Sequence, residues 1–273
     1  TSSRHSITIS SGTVSVSGDV TSDASSDGVT SATISFSDAG MLQLGGSMYS
    51  SLRGTLSTFS GCIVEYNSTV DQTGGAFVYS NLTLSGDGVK TFATAPTVND
   101  VLSMEGTATV VVTVGGVINY GANATLQYNT SIDRNAATPE WITTFSSTGG
   151  VIIANTGIIS MNGTKVLDTD VPLTINSGAT LYTGADDLTV GGITTVAGTI
   201  TSEGGVQVFT GNVIINSGGI WDEITDVSID FEADLTNNGT FTASTGIHTF
   251  SGLSNSINGS NPLTIEYVDI SGT

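Results

Sequence analysis

Short alternating runs fill this chain from end to end. The best-ordered stretch, from Gly198, reads GTIT, SEGG, VQVF, TG, NVII and NS. That is three β-prone runs with turn residues between them. The stretch from Gly178 gives ATLY, LTV and ITTV in the same order. Neither carries apolar residues at i, i+3, i+4 and i+7 over a useful length, so the pattern predicts strands and no helix.

The runs recur at a fixed interval. Taking one glycine of each turn as a marker gives Gly157 (ANTGIIS), Gly178 (INSGATL), Gly198 (TVAGTIT), Gly218 (INSGGIW) and Gly239 (TNNGTFT). By subtraction they lie about 20 to 21 residues apart, a solenoid period. A parallel β-helix accounts for it: each strand pairs with its counterpart one coil away, about 4.8 Å distant. Inward positions must be apolar or small, and Gly and Asn at corners take φ > 0 at low steric cost. The expected fold is all-β, a single right-handed parallel β-helix over residues 1–273 with about 20–21 residues per three-strand coil. The markers Gly12, Gly40 and Gly61 continue the theme less strictly. Surplus residues predict loop insertions near 21–31 (TSDASSDGVTS) and 131–150 (SIDRNAATPEWITTFSSTGG). Insertions from a solenoid often carry binding function, so Arg134 and Trp141 in the second are candidate ligand-loop residues.

Composition agrees with this class. Glycine is plentiful (35 residues), charged residues make up only 11%, and 38% are hydrophobic, enough to line a continuous core. The segment GTLSTFSGCIVEYNSTVDQTGGAFVYSNLTLSG (54–86) lies over GTFTASTGIHTFSGLSNSINGSNPLTIEYVDISG (239–272). These blocks resemble the repeats of large secreted β-solenoid surface proteins of bacteria, which are adhesin-like. The resemblance implies an extracellular or cell-surface location and a structural or adhesive role; it carries no catalytic residues.

Charge narrows the partners. Five Lys and Arg against 24 Asp and Glu give a formal charge of −19, which disfavours nucleic acid and anionic membranes. No run approaches the roughly 20 apolar residues of a membrane-spanning helix. In WDEITDVSIDFEADLTNNG, Asp230, Glu232 and Asp234 alternate with Ile229, Phe231, Ala233 and Leu235. One strand would present three carboxylates on one face, part of a shell for calcium as a cofactor. A solvated acidic face is the plainer reading. Glu65 with Asp71, or Asp168 with Asp186 and Asp187, could form the carboxylate pair of a glycosidase, yet acids are abundant enough to pair without purpose. His5 and His248 lack an evident nucleophile partner, and His248 is expected on the surface. Cys62, the single cysteine, is expected as a small buried hydrophobe. Seven Asn-x-Ser/Thr acceptors (Asn67, Asn81, Asn123, Asn129, Asn162, Asn238 and Asn258) carry little weight in so Ser/Thr-rich a chain.

No cap is legible at either end, and an open coil exposes unpaired backbone and bare core. Either the chain is a slice of a longer solenoid or neighbouring copies cover its ends. The expected assembly residues are Ile7, Ile9, Val14 and Val16 at one end and Leu263, Ile265, Tyr267 and Ile270 at the other. The function expected is therefore structural and not enzymatic: an adhesin segment or filament subunit pairing with itself end to end. The alternative is a β-helix that binds or cleaves extracellular polysaccharide.

Overall fold

A computed structural model describes residues 5–22, 32–49 and 54–272. It is an all-β parallel solenoid of about 11 turns, with no helix among the described residues. Contacts divide the chain into two compact units, Thr1–Ala124 and Thr125–Thr273.

The second unit shows the construction most regularly. Its base sheet stacks Thr125–Tyr128, Gly150–Ile153, Leu173–Ile175, Thr194–Val196, Val213–Ile215, Leu235–Asn237 and Ile257–Asn258. A second face runs from Arg134–Asn135 through Ile158–Ser160, Thr180–Gly184, Thr199–Ser202 and Ile220–Glu223 to Thr240–Thr242. The third runs from Thr144–Phe145 through Lys165–Leu167, Leu188–Val190, Val206–Phe209, Ser228–Phe231 and His248–Phe250 to Val268–Ile270. Successive base-sheet partners Val151, Leu173, Thr194, Val213, Leu235 and Ile257 lie 22, 21, 19, 22 and 22 residues apart by subtraction. The period is thus an average: coils lengthen or shorten at corners, while strand registers stay aligned.

On the base sheet and the third face, strands such as Leu188–Val190 and Val213–Ile215 point their outer two side chains inward, and all four are buried. Pairing in register stacks like on like. Phe209, Phe231 and Phe250 form one internal column, with centroid separations of 5.9 and 5.3 Å and interplanar angles of 23° and 24°. Trp221 fills the lumen beside it, 5.0 Å from the Phe209 centroid. Burying each such side chain contributes about 1.5–3 kcal/mol, and this continuous apolar column takes the place of a globular core.

The marker glycines prove to be of two kinds. Gly178 and Gly218 have φ of +83° and +84°, which a side chain disfavours. Gly198 instead lies so close to the preceding coil that a Cβ would stand 2.2 Å from the Asn176 carbonyl oxygen, and Gly239 repeats this 2.2 Å from that of Gly219. Turn chemistry accounts for the first pair, and coil-on-coil contact for the second.

The first unit uses the same parallel pairing in three stacks. One joins His5–Ile9, Ala32–Phe36 and Gly54–Ser57; another joins Thr13–Val16, Met41–Leu44, Ile63–Tyr66, Val78–Leu84 and Thr97–Met104. The third joins Gln72–Gly74, Val89–Thr94 and Thr109–Val114. Thr13 and Met41 are register partners 28 residues apart by subtraction, so surplus chain lies between them. Most of the expected 21–31 insertion falls outside the described residues.

Candidate functional site

The segment 131–150 does not project as a loop. It forms a corner with two short strands, Arg134–Asn135 and Thr144–Phe145, and turns its large side chains inward. Trp141 is fully buried against Tyr128, centroids 5.9 Å apart, so it offers no face to a ligand from solvent. The reason is volume: a coil three residues longer than the next must place the excess somewhere, and an apolar Trp gains most by filling the lumen.

Around Trp141 stands a charged group of side chains. The Arg134 guanidinium lies 3.7 Å from Glu140 Oε1 and 5.6 Å from the Tyr128 ring centroid. Glu140 Oε1 also accepts from the Ala137 N–H at 2.7 Å and from the Tyr128 hydroxyl at 3.5 Å. Lys165 Nζ donates to the Trp141 carbonyl at 2.7 Å, 5.8 Å from the indole. Burial pushes the Glu140 carboxyl up to about 7, against the opposing pull of Arg134 and the Ala137 N–H. Burial likewise lowers Lys165, with Glu140 and Asp186 pulling the other way. Arg134 Nε and Nη1 and Trp141 Nε1 have no partner among the described residues. With Glu140 fully enclosed, the group can hold or release a proton but cannot reach a substrate in solution. Sequence reading named Arg134 and Trp141 but missed Glu140 and Lys165, whose neighbours come from other strands.

The acidic row is broken. The strand Ser228–Phe231 ends before Glu232, and the next begins at Leu235, so Asp230, Glu232 and Asp234 do not share one strand face. Asp230 accepts from the Ser251 hydroxyl at 2.7 Å, Asp234 accepts from the Ser256 N–H at 2.8 Å, and Glu232 is exposed. Among the described residues no three His, Cys, Asp or Glu side chains are placed to hold a metal ion.

The other carboxylates are tied to neighbouring coils. Glu65 accepts from Gln43 at 2.8 Å and Ser85 at 2.6 Å, and Asp71 from the Val89 N–H at 2.9 Å. Asp186 holds the Gly163 N–H at 2.7 Å, Asp187 the Val206 N–H at 2.8 Å, and Asp168 its own turn at Thr169. Glu65 joins side chains of adjoining coils, and each of the aspartates satisfies a backbone N–H; the acidity of the chain is in part turn chemistry.

His248 is a correction to the sequence reading: it is buried, not on the surface. Its Nε2 lies 3.1 Å from both Glu223 carboxylate oxygens and its Nδ1 3.1 Å from the Gly246 carbonyl oxygen. Glu223 also accepts from the Ser244 N–H at 2.8 Å. Both ring nitrogens are engaged inside the lumen, away from solvent; this is a structural pair. Cys62 is buried, and burial raises its thiol, which fits an inert packing role.

The end residues are divided. Ile7 is 60% and Val14 39% exposed, whereas Ile9 is buried and Val16 half-buried. Among the described residues His5–Ile9 pairs only with Ala32–Phe36, and Thr13–Val16 only with Met41–Leu44. Among the described residues of the second unit Val268–Ile270 pairs only with His248–Phe250. Ile270 is 80%, Leu253 84% and Tyr267 51% exposed. Leu263 and Ile265 lie outside any strand and, with Leu253, Ile257, Val268 and Ile270, line a groove of about 630 Å³.

Comparison of the chain with protein-family models, with curated proteins and with solved structures found no match. The class established is therefore the parallel β-solenoid itself.

Proposed function

We propose that this protein is a structural, extracellular solenoid, a surface adhesin segment or filament subunit, whose terminal coil is continued by the β-coil of a second copy. The observation that carries the reading is the apolar groove at Leu253, Ile257, Leu263, Ile265, Val268 and Ile270, bordered by a strand with one unpaired edge. A row of free backbone donors and acceptors beside exposed branched side chains is a template for β-addition. The strands His5–Ile9 and Thr13–Val16 of the first unit, with Ile7 and Val14 exposed, supply an edge of the same parallel kind. The acidic surface and the resemblance of the 54–86 and 239–272 segments to bacterial surface repeats favour an exterior location. The carboxylates weighed as a glycosidase pair are each engaged by hydrogen bonds within the solenoid, which supports a structural reading.

Sedimentation velocity across a concentration series, with electron microscopy of the same samples, tests it. Wild type should form end-to-end oligomers that the double variant Leu253→Asp/Ile270→Asp does not, with unchanged melting because both residues are exposed. A wild-type chain that stays monomeric at hundreds of micromolar overturns the proposal.

A further inference from the structure

The second face of the second unit carries a groove of about 380 Å³ lined by Asp133, Ile158, Ser160, Thr180, Tyr182 and Thr201. Register explains its composition. Ser160, Tyr182, Thr201 and Asp222 are successive partners in one outward column, and Ile158, Thr180 and Thr199 form the column beside it. The surface is thus a ladder of hydroxyls interrupted by one aromatic ring.

That ring is held in place. Tyr182 lies over Gly184, whose Cβ, if present, would stand 3.6 Å from the ring, and the nearby Glu203 carboxylate raises its phenol. Gly184 has φ +61°, and the ladder shifts register between Tyr182 and Gly184. Within the described ladders of this unit it is the one register shift. Bulges of this kind re-aim a side chain next to functional surfaces. Here the extra residue, Thr183, turns inward to the Ser202 hydroxyl at 2.9 Å, while Tyr182 remains on the outer face.

Charge decides what the groove can take. Arg134 and Lys165 are the unit's two basic residues, and both point into the lumen. Its surface therefore has nothing to neutralise an anionic ligand. Asp133, Glu203 and Asp222 supply acceptors, and Ser160, Thr180 and Thr201 supply hydroxyls that donate or accept. An apolar ring and an aliphatic patch at Ile158 beside hydroxyls and carboxylates match a neutral polyhydroxylated chain. Its C–H faces lie on the aromatic ring, and its hydroxyls donate to the carboxylates.

From this geometry we infer that the Tyr182 face is a binding site for uncharged oligosaccharide lying across the Ile158, Thr180 and Thr199 coils. It is separate from the terminal groove, and it would give the solenoid a lateral adhesive surface whether or not copies join end to end.

The test is binding of the intact chain to an immobilised panel of neutral hexasaccharides (β-linked glucose, xylose and mannose), with oligogalacturonate and oligoglucosamine as anionic and cationic controls. At least one neutral hexasaccharide should bind and the anionic control should not. Tyr182→Ala should weaken binding about tenfold or more with unchanged melting. Tyr182→Phe, which keeps the ring but loses the hydroxyl, should retain most of it. No binding to any neutral sugar overturns the inference. So does neutral binding untouched by Tyr182→Ala, or preference for oligoglucosamine abolished by salt, which would mark a merely acidic face.

Discussion

Glu140 offers the sharpest test of how this solenoid tolerates charge in its lumen. Its carboxyl is raised from an ordinary 4.5 to about 7, chiefly by burial. Between those values the folded chain holds a proton that the unfolded chain has released, so stability falls as pH rises through this window. The contribution is complete below about pH 4.5 and lost above about 7. At 1.36 kcal/mol per unit, the swing is about 3 kcal/mol. Glu140→Gln keeps the shape and a carbonyl oxygen for the Ala137 N–H but cannot ionise. Urea unfolding of the two chains at pH 4 and pH 8 should show them nearly equal at the lower pH. At the higher pH the variant should gain about 3 kcal/mol relative to wild type. Subtracting one from the other removes the general repulsion of a chain with formal charge −19, which also weakens folding as pH rises. Fluorescence of Trp141, isolated in a Trp221→Phe background, reports the relevant coil, because solenoids need not unfold in one step. A relative stability that stays constant with pH would refute burial as the controlling effect. A variant that loses ground at pH 8 would mean that Arg134 holds the carboxylate charged.

Two further outcomes follow from packing. Phe231→Ala removes the middle ring of the Phe209–Phe231–Phe250 column and should cost about 3–5 kcal/mol in denaturant unfolding; a cost below about 1 kcal/mol would mean the neighbouring coils collapse into the gap. Gly178→Asn should be nearly neutral, since Asn tolerates φ > 0 and the site is open apart from Thr156. Gly198→Asn should cost roughly 1–3 kcal/mol or more by overpacking against the Asn176 and Ala179 carbonyls. Equal melting temperatures for the two variants would contradict the division of the marker glycines into two kinds.

The coil period, the strand-turn rhythm and the all-β class were legible because they are local: alternation within three or four residues and a glycine every coil. Even the inward turn of His248 was readable in principle, since it shares parity with Phe250 in the strand His248–Phe250. What lies opposite an inward residue is not local. Glu223 meets His248 only because strands on two faces converge at one corner, and Glu140 meets Arg134 and nears Lys165 only because a long corner folds into the lumen. The break at Glu232–Asp234 was hidden for a related reason: an alternating pattern is compatible with one strand or with two strands and a corner, and the registers of adjoining coils decide between them. Sequence alone thus determined the kind of coil this chain winds into, through turn sterics and side-chain alternation. The tertiary structure decided which polar groups are locked inside and which remain on a face, because in a solenoid those neighbours come from other coils, some twenty residues away along the chain.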